Sequence, residues 1–280
     1  MRVVCTTGQV AEMVERVGGE HVSVDALMGP GVDPHLFNPV ASDLRKLSAA
    51  DAIFYNGLHL EGRMSETFEQ MARTKATFAV TEGIQSRKDK RLREPPEFEG
   101  LYDPHVWHDP LLWGDCVTDV ANDLAQLDPA HADEYRANAE AYREEFIELD
   151  KFCRVELAKI PKERRVLVTA HDAFGYFGNT FGLEVHGLKG ISTEEEKDLH
   201  RQEEIQRMIV ERKIPAVFVE SAVAPKTIKA LVEPCQAAGW DLKIGGELYA
   251  DALGPAGSDD ATYAGMIRHN VQTIAAALGE

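Results

Sequence analysis

The sequence predicts an α/β protein of two similar lobes, each a mainly parallel sheet flanked by helices, joined by one long backbone helix. Three observations carry this. Short apolar runs alternate with amphipathic stretches through both halves, the pattern of parallel strands covered by helices. The second half echoes the first at a nearly constant spacing. Val3-Val4-Cys5-Thr6 returns as Val166-Leu167-Val168-Thr169, Gly19-Glu20-His21-Val22 as Gly182-Leu183-Glu184-Val185, and Ala52-Ile53-Phe54-Tyr55 as Ala216-Val217-Phe218-Val219. Between the halves runs the longest helical periodicity in the chain. The lobes are placed at 1–127 and 161–280, with the joining helix at 128–160.

In the first lobe, residues 3–7 read as a strand, 10–17 as a helix and 22–27 as a strand. Ser42 opens an amphipathic helix through Leu44 and Leu47, and the apolar run 52–55 follows. In the second lobe, 165–169 is a strand and 173–180 a helix. Ile205, Ile209 and Val210 mark another helix before the strand 217–219. Asp128-Pro129 supplies an N-cap and a first-turn proline for the joining helix, and Pro161 stops it at Ile160. Tyr135, Ala139, Tyr142, Phe146, Leu149, Cys153 and Leu157 recur along it at steps of three and four. About 30 residues at roughly 1.5 Å each make a strut about 45 Å long. Residues 86–100, charged and containing Pro95-Pro96, read as a surface loop, and Tyr263, Met266, Ile267, Val271 and Ile274 as a closing amphipathic helix.

With 280 residues, 44% hydrophobic and 28% charged, the chain has the composition of a globular protein with room for two cores. Its net charge of −17 argues against nucleic acid or an anionic membrane surface as the main ligand and favours cations. No apolar stretch reaches the roughly 20 residues that span a bilayer. The four cysteines, Cys5, Cys116, Cys153 and Cys235, form no Cys-x-x-Cys pair and read as small buried residues. Met1-Arg2 runs straight into a strand, with no secretory leader.

Among ten histidines, three stand at the mouths of strand-like segments. His35 and His105 both follow Asp-Pro, whose proline stiffens the turn that presents the next side chain. His171 lies between a strand and a helix, where α/β proteins place functional groups. Asp251, in a loop after Glu247-Leu248-Tyr249-Ala250, completes a set of three imidazoles and a carboxylate suited to zinc or manganese. His108 rivals His105, either as ligand or as a supporting group. His59, in Gly57-Leu58-His59-Leu60-Glu61, is a further ligand candidate. Asp172 and Glu247 are candidates to orient the rings. His21, His131, His200 and His269 carry no supporting chemistry, His186 reads as packed within a strand, and Glu194-Glu195-Glu196 as a solvated face.

Four motifs in order, Asp33-Pro34-His35-Leu36-Phe37-Asn38-Pro39, Tyr102-Asp103-Pro104-His105-Val106-Trp107, His171-Asp172-Ala173-Phe174-Gly175-Tyr176-Phe177 and Gly245-Gly246-Glu247-Leu248-Tyr249-Ala250-Asp251, resemble the TroA-like zinc/manganese-binding proteins of bacterial ABC importers. Asn56-Gly57-Leu58-His59-Leu60-Glu61 and Phe218-Val219-Glu220-Ser221 fit the same pattern. The resemblance implies two lobes with a metal in the cleft between them, held by His35 and His105 from the first and His171 and Asp251 from the second. It implies an extracytoplasmic protein, periplasmic or lipid-anchored, whose partners are a divalent metal and a membrane ABC permease. The absent leader then marks a truncated start. Relatives with histidine at the position of His171 include zinc binders and proteins taking either metal, whereas glutamate there goes with manganese. Residues 86–100 hold no histidine, unlike the histidine-rich loop of dedicated zinc importers.

The expected function is capture of Zn2+ or Mn2+ and its delivery to the permease by a monomer. Affinity should weaken as pH falls through the histidine range, and a one-helix spine should allow only modest lobe motion on release. The alternatives are a metal-dependent hydrolase and a surface adhesin. A hydrolase needs an open metal position and a placed base, and no His-Glu-x-x-His, Gly-x-Ser-x-Gly or phosphate-loop motif is present.

Overall fold

The computed structural model describes residues 1–98, 100–195 and 198–279, so Glu99 of the surface loop and Glu196 of the acidic run lie outside the described residues. The chain divides into two compact units, Met1–Asp150 and Lys151–Glu280. In the first, β1 (Arg2–Cys5), α1 (Gly8–Gly18), β2 (Ser23–Ala26), α2 (Ala41–Ala49), β3 (Ala52–Tyr55), α3 (Ser65–Ala72), β4 (Ala76–Ala79), α4 (Glu82–Ser86) and α5 (Pro110–Leu127) follow in order, and then α6 (Ala132–Leu157) begins. The unit boundary falls inside α6. The second unit continues with β5 (Val166–Thr169), α7 (Gly175–Phe181), β6 (Glu184–Gly187), α8 (Leu199–Arg212), β7 (Ala216–Glu220), α9 (Lys226–Ala237), β8 (Lys243–Leu248) and α10 (Tyr263–Gly279).

The first sheet is parallel throughout, in the order β2-β1-β3-β4. Val3, Val4 and Cys5 of β1 and Ala52, Ile53 and Phe54 of β3 are buried on both faces, as central parallel strands require. β2 and β4 are half-exposed edges. Thr7 caps α1, its hydroxyl accepting the Val10 amide. Leu47 of α2 and Met64 and Phe68 around α3 close one core with Val4 and Ile53. Fully burying a side chain of this size contributes about 1.5–3 kcal/mol.

In the second unit β5 pairs with β6 and β7 with β8, again parallel, and β5 lies beside β7. Val166, Val168, Ile205, Ile209, Val217 and Leu231 form its core. Gly182, left-handed at φ 73°, ends α7, and Asp198 caps α8 through the amides of His200 and Arg201. The ladder of β7 and β8 skips Gly245, pairing Val217 with Ile244 and Phe218 with Gly246. A side chain at Gly245 would meet the Phe218 ring at 2.8 Å, and Gly246 adopts φ 146°, so this bulge needs both glycines.

The long helix is shorter than its periodicity suggests. Pro129–His131 forms a 3-10 turn, and the α-helix runs for 26 residues, about 39 Å. Along its first part, Asn138 donates to the Val17 carbonyl, the Tyr142 hydroxyl to Glu12, and Phe146 packs on Gly114. Further on, Arg154 donates to the Thr180 carbonyl and Arg268 lies 4.4 Å over the Phe152 ring.

All four cysteines are buried, and none forms a disulfide. Burial, aided by neighbouring acids, pushes the Cys5 and Cys116 thiols well up, and burial raises Cys235. No described helix is long and apolar enough to cross a membrane.

Candidate metal centre

Each compact unit holds one buried pair of metal-type donors. In the first unit, both histidines sit on the same local device. Asp33 Oδ1 accepts the His35 amide at 2.9 Å, and Asp103 Oδ1 accepts the His105 amide at 3.0 Å. Aspartate thus closes a short side-chain turn while the intervening proline fixes φ, which orients the histidine from both sides. The outcome is a His35 Nε2 to His105 Nε2 separation of 3.2 Å, with exposures of 3% and 0%. Two zinc–nitrogen bonds of about 2.05 Å at a tetrahedral angle span about 3.3 Å. The pair already has that spacing.

In the second unit, His171 leaves the carboxyl end of β5 and Asp251 follows β8. His171 Nε2 lies 3.3 Å from Asp251 Oδ2, both side chains fully buried. The same spacing recurs with a carboxylate as second donor. The approach depends on Gly187 at the end of β6. A Cβ there would stand 2.3 Å from the Asp172 amide nitrogen and 2.5 Å from the His171 carbonyl carbon. Asn270 of α10 holds the Asp251 loop, accepting the Tyr249 amide at 2.9 Å and donating to its carbonyl at 2.8 Å.

A buried carboxylate stands behind one histidine of each pair. Asp103 Oδ1 lies 2.8 Å from His105 Nδ1. Glu220 meets His171 Nδ1 at 2.5 Å and accepts its backbone amide at 3.0 Å. Such contacts leave Nε2 as the nitrogen directed at a metal and raise its basicity. Burial pulls the His171 imidazole down, but the charges of Glu220 and Asp251 outweigh it and hold the ring well above the ordinary histidine value.

These orienting carboxylates differ from the two expected by proximity. The Asp172 amide bonds to the Gly190 carbonyl, and the carboxylate at His171 Nδ1 is that of Glu220. Glu247 is exposed, and its carbonyl receives His269 Nε2 at 2.9 Å. Asp103 and Glu220 both lay within motifs already visible. The Asp-Pro-His doublet itself signalled Asp103, but no local signal joined Glu220 to a histidine 49 residues away.

The other histidines fall elsewhere. His59 is exposed, with φ 65°, and lines a pocket of about 430 Å³ with Tyr55, Phe68, Glu69, Glu82 and Gln85. His108 is buried in a 3-10 turn with its ring 5.7 Å from Trp107. His186 is half-exposed on β6 beside Glu184, not packed. His21 and His131 do have chemistry: their rings stack at 3.7 Å, and each meets a carboxylate, Glu134 and Asp128 respectively. His200 and His269 face Glu204 and Asp260. Glu194 and Glu195 are exposed as expected.

Comparison with known proteins places this geometry in context. The family described as "ZnuA: Zinc-uptake complex component A periplasmic" matches residues 3–277. The manganese-binding lipoprotein MntA of Bacillus subtilis (strain 168) is 46% identical over 279 residues, covering 99% of this chain and 90% of the relative. The zinc-binding protein TroA of Treponema pallidum (strain Nichols) is 44% identical over 276 residues, covering 99% and 88%. The iron-binding protein YfeA of Yersinia pestis is 32% identical over 279 residues, covering 100% and 86%. Among solved structures, the periplasmic zinc-binding protein TroA from Treponema pallidum superposes with a TM-score of 0.94 at 43% identity, covering 100% of this chain and 99% of that one.

Proposed function

Since the chain belongs to the zinc-uptake component A family of metal-binding ABC-importer proteins, we propose that it captures a divalent transition metal outside the cytoplasm and delivers it to an ABC permease. It is a solute-binding protein and not an enzyme. In this reading His35, His105, His171 and Asp251 hold one Zn2+ or Mn2+ ion as cargo, and the protein works as a monomer, free in the periplasm or anchored by lipid. The lobes 1–127 and 161–280 each bring two donors, with 128–160 joining them.

The observation that carries the reading is the matched bite of the two pairs, 3.2 Å between nitrogens and 3.3 Å between nitrogen and oxygen. Four buried donors without solvent access suit holding an ion better than exposing it to a substrate. Asp103 and Glu220 would keep both rings oriented while the cation is absent, so little rearrangement precedes capture. Its relatives are named for manganese, zinc and iron, which fits a donor set of mixed softness.

The test is calorimetric titration of metal-free protein with zinc and with manganese. One ion per chain is expected, and alanine at any one of the four donors should weaken binding at least a hundredfold. Retention of wild-type affinity by two or more of these variants would refute the ligand set.

A further inference from the structure

Asn56 follows β3, opens the motif Asn56-Gly57-Leu58-His59-Leu60-Glu61, and is fully buried. Its Nδ2 donates to two carbonyls, that of Gly57 at 3.0 Å and that of Pro104 at 3.1 Å. Its Oδ1 is buried and accepts no hydrogen bond among the described residues, so the side chain engages its neighbours as a donor. The Pro104 carbonyl also accepts the Val106 amide at 2.9 Å, which closes a three-residue turn around His105. His105 has φ −81° and ψ 43°, close to an inverse γ-turn. Asn56 thus reaches across 48 residues to the carbonyl that closes the turn presenting His105.

Asn56 is itself locked in place. Glu61, 3% exposed, accepts the Asn56 amide at 2.7 Å and the Thr6 hydroxyl at 2.6 Å on one oxygen and the Gly57 amide at 3.3 Å on the other. The Thr81 hydroxyl donates to the Asn56 carbonyl at 2.6 Å. Gly57, Leu58 and His59 run left-handed in succession, at φ 87°, 52° and 65°, and this folds Glu61 back onto the amides that begin its own motif. Left-handed backbone at two non-glycine residues is unfavourable and persists only where surrounding contacts hold it. A Cβ at Gly57 would stand 2.6 Å from Thr81 Oγ1, so the turn also needs its glycine.

We infer that Asn56 is a positioning residue of the metal centre, holding His105 in its ligating pose through the Pro104 carbonyl, with Glu61 as its anchor. The inference rests on the reading that His105 is a metal donor. Asp103 orients the His105 ring from Nδ1, and Asn56 fixes the turn from which that ring departs. The 3.2 Å spacing of the His35 and His105 Nε2 atoms depends on both, because a change of backbone angle at His105 swings the ring tip away from His35. Asn56 touches no metal. Losing a group that orients a ligand typically weakens metal binding about 10–100-fold. A clamp serving the fold alone would lower stability and leave the folded protein's metal affinity where it was.

The experiment titrates zinc(II) into the full chain at a temperature where circular dichroism shows each variant folded. Asn56→Ala should weaken zinc about 10–100-fold and shift the visible bands of the cobalt(II)-loaded protein, which report coordination geometry. Ile53→Val thins the core under β3, lowers stability by that route alone, and should keep zinc affinity within about twofold and the cobalt bands in place. The inference is overturned if Asn56→Ala binds zinc within about twofold of wild type, if its loss is no larger than that of Ile53→Val, or if its cobalt bands do not move. If Asn56→Ala does not fold, Asn56→Ser, whose hydroxyl is too short to reach the Pro104 carbonyl, decides by the same three criteria. His105→Ala separates the two levels. If it keeps wild-type affinity, the reading of His105 as a donor fails; if it loses zinc while Asn56→Ala does not, only the role of Asn56 fails.

Discussion

Glu220→Gln is expected to change how many protons leave the protein when zinc binds. In the metal-free protein, burial lowers the His171 pKa, but Glu220 and Asp251 raise it well above the ordinary value. A ring whose proton is held this way must give it up before it ligates. Zinc uptake should release more protons than an ordinary histidine would, and affinity should climb with pH until the raised pKa is passed. Removing the Glu220 charge drops the ring toward the ordinary range. An imidazole near 6.5 carries only about 0.1 proton at pH 7.5. Wild type should release more protons per zinc than the variant, read from titrations in buffers of different ionisation enthalpy. The glutamine amide also faces Nδ1 with a donor, favouring the tautomer with its proton on Nε2, so affinity should drop about 10–100-fold. The same shift has an opposite sign for stability. A raised histidine pKa stabilises the fold fully below the unfolded value, near 6.5, and that stabilisation is lost as pH rises through the folded value. Metal-free protein should thus melt lower at pH 9 than at pH 6.5, while zinc binds more tightly. Equal proton release in both proteins, or wild-type affinity flat between pH 7 and 8, would refute this account.

Three further outcomes are expected. Gly187→Ala forces a methyl against the His171–Asp172 backbone and should cost about 1–3 kcal/mol in denaturant unfolding, with weaker zinc binding. Asn270→Ala strips two buried hydrogen bonds from Tyr249, so about 2–4 kcal/mol of stability and at least tenfold in zinc affinity should go, measured by melting and titration. Asp123 is raised to about 7 by burial, then by Asp119 and Glu82. The penalty to folding builds as pH rises from the unfolded carboxyl's value near 3.9 and is complete above about 7, so Asp123→Asn should melt above wild type at pH 8 and draw level only below about pH 3.5.

The central strands were legible because they are continuous apolar runs: β1, β3, β5 and β7 each fall within a residue or two of the reading from sequence. The half-exposed β4, Ala76-Thr77-Phe78-Ala79, has one large apolar residue among small ones and lacks the β-branched run of the central strands, and the two glycines of β8 hide its periodicity. The helix α5 carried a usable signal in Asp109-Pro110, the same pair as Asp128-Pro129, where the expected side-chain cap does not form because the Asp128 carboxylate turns to His131 and Tyr135. Asp109 does accept the Leu111 and Leu112 amides. Of the long helix, the last few residues were misjudged because periodicity persists past the point where hydrogen bonding tightens. For the site, the proposed donors stand out in the sequence because each follows a turn or strand end. Their supporting groups were not: Glu220 meets His171 across 49 residues, Asn270 holds Tyr249 across 21 and Arg93 meets Asp103 across 10, contacts made only by folding.

The sealed cysteines bear on how a metal carrier avoids mishandling its load. Thiolate is the donor that zinc and copper prefer, and an accessible one would sequester ions at the wrong place or crosslink neighbouring chains in an oxidising medium. With all four thiols buried and those of Cys5, Cys116 and Cys235 pushed up rather than lowered, that competition is suppressed. Alkylating reagents should leave the native protein unlabelled.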